Sequence, residues 1–342
     1  MVLRVVNTIH LEGVDFGPHL LQGLDVEVVS ALGRSEEELV DCAAEADGIV
    51  CSGPVQPWTA RVIDALTRCR IIASLSIGYD GIDLGAAARK HIVVTNVPDY
   101  CIDEVASHAI ALMLTLGRRI LILDRAVRKG MTRFVPSERK SIQDMLHPVL
   151  RLQKQVLGII GLGRIGTAAA LKAKGLGMQV VAYDPYVLDA VMSSYGVQAV
   201  DMQTLLKSSD IISLHCNLTD ETRNMINNQA FENMKPSCYL INTARGEIVD
   251  EDALICALNS GRIAGAGLDV TRQDPLPADH PLMATPNTIL TGHAAWYSTT
   301  SDSAPVYWHK AMGQVALALQ GLWPHYAVNP EVKNKWLEKW GA

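Results

Sequence analysis

Two spacings of apolar residues alternate along the chain. Short runs rich in valine and isoleucine, LRVVNTI (3–9), DVEVV (25–29), DGIVCS (47–52), RIIASLS (70–76) and HIVVTNV (91–97), are separated by polar-faced stretches such as SEEELVDCAAEA and TARVIDALTRC. Runs this short and continuous are strands buried on both faces, and the intervening period near 3.6 is helical. The first hundred residues therefore predict a parallel sheet covered by helices. NVPDY (96–100) interrupts the alternation. One long helix is predicted next over DEVASHAIALMLTLGRRILILDRAV, apolar on most of its surface and expected to lie buried between domains. A second alternating series runs from VLGIIGLGRIG through VVAYDP, IISLHC, YLINTA and AGLDV to TIL, before a helix at about 305–320 and the tail PHYAVNPEVKNKW.

That tail is too short to be a domain. The expected organisation is a smaller, discontinuous α/β domain of residues 1–100 plus 297–342. Inserted into it is a second, doubly wound parallel sheet, residues 101–296. The total of 342 residues suits two domains of about 150 each.

Composition removes several function classes. A formal net charge of −6 lacks the basic footprint of nucleic-acid binding. No apolar run reaches the roughly 18–20 residues of a membrane span, and the start, MVLRVVNTIHLEGVD, meets an acidic residue too early for a secretory leader. The seven cysteines are odd in number, dispersed and without a CxxC pair, so reduced thiols in a cytoplasmic protein are expected, with no disulfide framework and no metal site.

The second series carries a cofactor signal. Gly161, Gly163 and Gly166 form G-x-G-x-x-G between an apolar strand and an alanine-rich helix, and Asp184 ends the next strand 18 residues after the last glycine. The first glycine permits a tight turn, the second lets backbone approach a pyrophosphate, and the third lets helix pack on strand. The diphosphate would rest on the helix N-terminus, with Arg164 and Ile165 beside it. Asp184 would accept hydrogen bonds from the adenosine ribose and repel a 2′-phosphate, which favours NAD over NADP.

Hydride exchange with a 2-oxo acid also needs a cation for the substrate carboxylate, a proton donor at the carbonyl oxygen, and an acid to orient that donor. Arg245 in NTARGEIVDEDAL, Asp274 in GLDVTRQDPLP and His293 in GHAAWYS each follow an apolar strand, at intervals of 29 and 19 residues. That is the edge at which open α/β sheets bind ligands.

These stretches, together with TNVPDYCIDEVASHAIALML, LHCNLTDETRNMIN and YDP, resemble the D-isomer-specific 2-hydroxyacid dehydrogenase family over about residues 45–320. HAAWYS and NTARG place the resemblance nearest to the branch of the C-terminal-binding proteins. The resemblance implies NAD, a two-domain α/β fold with a cleft, in which residues 101–296 are an NAD-binding Rossmann domain inserted into a smaller flavodoxin-like substrate domain of residues 1–100 plus 297–342, and a homodimer formed through the cofactor domains. It implies an arginine–acid–histidine triad of Arg245, Asp274 and His293, and further nucleotide contacts at Cys216, Asn217, Thr222, Thr243, Ala244 and Asp269. Substrate carboxylate would meet Ser76, Ile77 and Gly78 in SLSIGYDGID, with Ile77 also near the nicotinamide, and Trp296 would wall the pocket; Trp58, Tyr100 and Tyr297 could add to that wall, although core packing is the commoner fate of such residues. Partners are thus a small 2-oxo or 2-hydroxy acid and a second copy of the chain. A rival implied by the same branch is an NAD(H)-sensing scaffold or corepressor with little turnover.

Several positions depart from the family pattern. Asp274 stands where glutamate is usual, one methylene shorter, so reaching His293 would require a closer backbone or a bridging water. Thr271 and Arg272 are unusual before it, Ser74 stands where that branch has arginine, and Lys154 replaces a common glycine without evident meaning.

Overall fold

A computed structural model describes residues 2–9, 15–130, 146–299 and 303–342. The chain divides into two compact units, Met1–Tyr100 with Ser298–Ala342, and Cys101–Tyr297.

In the first unit five parallel strands, β1 (Leu3–Asn7), β2 (Val26–Ser30), β3 (Gly48–Cys51), β4 (Ile71–Ser74) and β5 (Val93–Thr95), pair in the order 2-1-3-4-5. That is the flavodoxin order. Alternate residues serve two cores. Val5, Val50, Ile71 and Val93 face the helix Ser303–Leu319, while Val6, Ile49, Ile72 and Val94 face the helices Glu36–Ala43, Ala60–Ala65 and Leu84–Arg89. Two of those helices start on side-chain caps, Ser35 accepting from the Glu38 N–H and Asp83 from that of Ala86, which explains where the apolar period begins. The C-terminal tail contains a helix that its sequence did not announce, Lys333–Trp340. Its Trp336 is fully buried in the same core and donates from Nε1 to Arg70 O.

The second unit holds seven parallel strands: β6 (Val156–Ile160), β7 (Gln179–Tyr183), β8 (Gln198–Ala199), β9 (Ile211–Leu214), β10 (Tyr239–Asn242), β11 (Gly265–Leu268) and β12 (Thr288–Leu290). Their spatial order is 12-11-10-9-6-7-8, the doubly wound Rossmann order extended by one strand, with the reversal of direction between β6 and β9. This is the α/β class read from the sequence. β8, a two-residue edge strand, is too short to leave a pattern and was not foreseen. Strands β9, β10 and β11 are buried along their full length, as sheets covered on both faces require.

The single long helix expected after NVPDY is instead two, Ile102–Gly117 and Ile120–Arg128, bent by 57°. The break falls at Arg119, whose φ of 55° is left-handed and ends the first helix. Its guanidinium, almost completely buried, donates to Leu146 O and His147 O and lies over the Tyr239 ring, so tertiary contacts hold the turn that an arginine would not choose by itself. Ile102–Gly117 packs on strands β10 and β11 inside the second unit, whereas Ile120–Arg128 has no fully buried residue. Among the described residues no single helix is long and apolar enough to cross a membrane. Lys154 also finds its explanation here: its φ is 72°, a conformation in which glycine is unstrained.

Candidate active site

The glycine loop follows β6, at the point where strand order reverses. Gly161 has φ 91°, and a Cβ there would lie 2.5 Å from Cys216 N; one on Gly166 would lie 2.2 Å from Gly161 O. Both positions exclude any side chain. A Cβ on Gly163 would meet nothing within 4 Å, so the backbone there is open to a ligand. Gly163 is the N-cap of the helix Arg164–Gly175 and, having no side chain, leaves the first amides of the helix without a side-chain cap. Arg164 is the first residue of that helix. A cation at a helix N-terminus opposes the helix dipole, a cost that a bound anion relieves.

A cavity of about 710 Å³ opens beside this loop, lined by Gly161, Gly163, Asp184, Cys216, Asn217 and Thr222, among others. Asp184 is held by two backbone donors, Leu162 N–H and Tyr186 N–H, each 2.9 Å away. The Thr222 hydroxyl donates to Asn217 O at 2.7 Å and accepts from Thr219 N–H, which closes the opposite wall. Tyr186 reaches across to Glu221 at 2.6 Å. Burial pushes the Cys216 thiol up to about 11, so it stays neutral.

His215, at the back of the cavity, sits with Nε2 2.9 Å from the Ser213 hydroxyl, and desolvation pushes its imidazole down to about 4 from 6.5. Between those values the unfolded chain binds a proton that the folded ring refuses. Its stabilising contribution is whole above pH 6.5 and is lost as pH falls toward 4. A shift of that size is worth at most about 3 kcal/mol. Melting temperatures of the parent and of His215→Asn, followed from neutral to acid pH, should therefore converge as pH falls; parallel curves would contradict the assignment.

Strands β10, β11 and β12 are neighbours, with Asn242, Leu268 and Leu290 in register. Arg245 and His293 each lie three residues beyond that level and Asp274 six, so all three groups leave the carboxyl edge of adjacent strands. The Asn242 side chain, buried, shapes the turn that bears the arginine: its amide donates to Arg245 O at 2.8 Å and its carbonyl accepts from Ala244 N–H at 3.0 Å. Arg245 itself donates from one guanidinium nitrogen to Ala244 O. Thr243 next to it has a buried hydroxyl with no partner among the described residues.

His293 is held from beneath. Its φ is 59°, and its N–H donates to Asp269 O. The Asp269 carboxylate, 3% exposed, accepts from the Thr291 hydroxyl and from the N–H groups of Ala294 and Ala295. His108 Nε2 lies 2.9 Å from the same threonine hydroxyl. Asp269, expected as a nucleotide contact, thus spends both oxygens on the loop that carries the histidine.

Asp274 Oδ2 lies 2.7 Å from His293 Nδ1, so the shorter acid reaches the ring directly and no bridging water is needed. The reason is the loop beneath it. A Cβ on Gly246 would lie 2.0 Å from Thr271 C, so only glycine lets the 271–274 loop settle on the arginine turn. Arg272 N–H then donates to Glu251, a buried carboxylate, whose other oxygen faces Arg272 Nε at 3.7 Å and His280 Nε2 at 3.3 Å. The unusual Arg272 is an anchor. Glu251, His280 and Gly246 were not singled out in the sequence because acids and glycines near turns ordinarily read as solvated.

The substrate-side expectations lie in the other unit. At the end of β4, Ser74 is fully buried and accepts from Gly53 N–H while its hydroxyl donates to Gly78 O on the loop that follows; there Asn96 donates to Ile77 O, and Val97 N–H to Ser76 O. Carbonyls are thereby tied inward, and among the described residues the N–H groups of Ile77 and Gly78 have no acceptor. Trp58 is fully buried in the core and cannot wall a pocket; Tyr100 stacks on Tyr307 at 4.8 Å. Trp296 lies edge-on to Tyr297, which is 62% exposed.

Residues 110–295 match the family model described as D-isomer specific 2-hydroxyacid dehydrogenase, NAD binding domain. The chain belongs to that family. It is 39% identical over 265 residues to a glyoxylate reductase of Korarchaeum cryptofilum, covering 76% of each chain. To a D-3-phosphoglycerate dehydrogenase of Archaeoglobus fulgidus it is 39% identical over 295 residues, 86% of this chain but only 53% of that one, so the chain spans about half of that relative. A crystal structure of D-lactate dehydrogenase from Aquifex aeolicus, complexed with NAD and lactic acid, superposes with a TM-score of 0.76 at 30% identity, over 92% of this chain and 94% of that one. This 2-hydroxyacid dehydrogenase is accordingly an NAD-dependent oxidoreductase of the CH–OH group. The open backbone at Gly163, the N-terminal Arg164 and the unpartnered Thr243 hydroxyl fit a dinucleotide.

Proposed function

We propose that the chain reduces small 2-oxo acids to D-2-hydroxy acids, and the reverse, with His293 exchanging the proton, Asp274 orienting it and Arg245 meeting the substrate's negative charge. The observation that carries this reading is the His293–Asp274 contact. With Nδ1–H donated to the carboxylate, the proton that moves is on Nε2, which is the nitrogen left to face a substrate oxygen. Bound NAD supplies or accepts the hydride. Gly161, Gly163, Arg164, Ile165, Gly166, Asp184, Cys216, Asn217, Thr222, Thr243 and Ala244 would hold it, and Asp269 would act through the histidine loop. The open N–H groups at Ile77 and Gly78, beside Ser76, suit a carboxylate, and Trp296 suits an apolar side chain.

A homodimer through the cofactor-binding unit is supported by apolar residues exposed on Ile120–Arg128, namely Ile120, Leu121 and Val127. Free cysteines suit a reducing, cytoplasmic location. Kinship with the C-terminal-binding proteins rests on NTARG and HAAWYS, and a scaffold role is disfavoured by an acid and a histidine in direct contact.

Absorbance of NADH against a panel from glyoxylate and hydroxypyruvate to branched and aromatic 2-oxo acids should reveal turnover with NADH and little with NADPH. Tight NADH binding and NADH-dependent dimerisation without turnover of any acid would replace the enzyme reading by the scaffold.

A further inference from the structure

None of the residues assigned to the reaction includes Asp15, His19 or His309, yet their donor atoms all lie within 4.8 Å of one another. Asp15 precedes the short 3-10 helix Pro18–Leu21 and His19 lies within it, and His309 comes from the helix Ser303–Leu319, near the opposite end of the chain. Spacing in the sequence could not show them together, and the expectation of no metal site rests on the cysteines alone. Their orientation is specific. Asp15 Oδ1 accepts from Gly17 N–H at 2.8 Å, leaving Oδ2 toward the histidine, 3.5 Å from His309 Nε2. The two imidazoles meet edge to face with centroids 5.1 Å apart. His309 Nε2 is buried and makes no hydrogen bond among the described residues. Gly17, with φ 78°, admits the ring, since a Cβ there would lie 2.8 Å from His309 Cδ2.

We propose that Asp15, His19 and His309 bind a divalent first-row transition ion, with Zn²⁺ as the reference case. Two imidazole nitrogens and one carboxylate oxygen are a donor set for Zn²⁺, at about 2.0–2.2 Å each. Tetrahedral ligands at those lengths stand roughly 3.3–3.5 Å apart, which matches the Asp15–His309 separation of 3.5 Å. Three protein ligands leave the fourth position to water. Such an ion clips the segment around Pro18–Leu21 to the helix Ser303–Leu319, so it acts on the stability of the first unit, and binding releases any proton held on the two imidazoles.

The test uses untagged, chelator-treated full-length protein, titrated with Co²⁺ in the spectrophotometer and with Zn²⁺ in the calorimeter. One equivalent should bind, with the intense visible bands of tetrahedral Co²⁺ and a rise in melting temperature. His19→Gln, His309→Gln and Gly17→Ala should each weaken binding beyond the roughly 10–100-fold typical of losing an outer-shell partner. The histidine variants should keep parental circular dichroism, which separates lost ligation from lost folding. Parental Zn²⁺ affinity in the double histidine variant, or the absence of a tetrahedral Co²⁺ spectrum in the parent, would overturn the site.

Discussion

His293→Asn is expected to lower turnover of 2-oxo acids by about 10²–10⁴-fold while NADH binding stays at the parental level. Asparagine is the informative replacement because position 293 has φ 59°, a conformation that asparagine tolerates better than most residues. The backbone N–H to Asp269 survives the change, as do the bonds from Thr291, Ala294 and Ala295 to the same carboxylate, so the loop keeps its place. What disappears is the ring nitrogen that exchanges a proton with the substrate oxygen. A loss of that size corresponds to about 3–5 kcal/mol at the transition state. Single-turnover reduction, with NADH affinity measured separately by fluorescence, divides chemistry from binding. Turnover within tenfold of the parent would remove His293 from the reaction.

Much of this arrangement was legible in the residues, and for identifiable reasons. Strands covered on both faces must be continuously apolar, so RIIASLS and VLGII declare themselves. A dinucleotide needs backbone where side chains would collide, so Gly161 and Gly166 are visible as a spaced pair. Arg245, Asp274 and His293 were recognisable as ends of successive strands because β10, β11 and β12 are parallel neighbours. What stayed hidden depended on tertiary partners. Nothing local in GRRILIL says that Arg119 takes a left-handed turn; carbonyls 27 and 28 residues away, Leu146 and His147, hold it there. Glu251 reads as the first-turn acid of a helix, and only folding buries it beneath Arg272. Trp58 could have faced a pocket or a core, since an aromatic residue in a turn carries no mark of which.

The distance between Asp274 and His293 turns a doubt about side-chain length into a quantitative expectation. Asp274→Asn keeps the shape and can still accept from Nδ1–H, but it removes the negative charge beside the ring. Losing one charge-assisted hydrogen bond of about 1.5–3 kcal/mol should lower turnover by about 10–150-fold. The pH profile carries the more specific prediction. Reduction consumes the proton of an imidazolium, and an imidazolium without its counter-charge gives that proton up more readily. The alkaline fall of reduction should therefore move to lower pH in Asp274→Asn, and the acid rise of oxidation should move the same way. Asp274→Glu, which restores the side chain usual in the family, should bring no gain. The loop seated on Gly246 and anchored to Glu251 already delivers the shorter acid to 2.7 Å, and an added methylene must be folded away or must push the ring. An unmoved profile in the asparagine variant would leave Asp274 as a turn residue only. A faster glutamate variant would mean that the 271–274 loop is not matched to aspartate, whatever the contact distance.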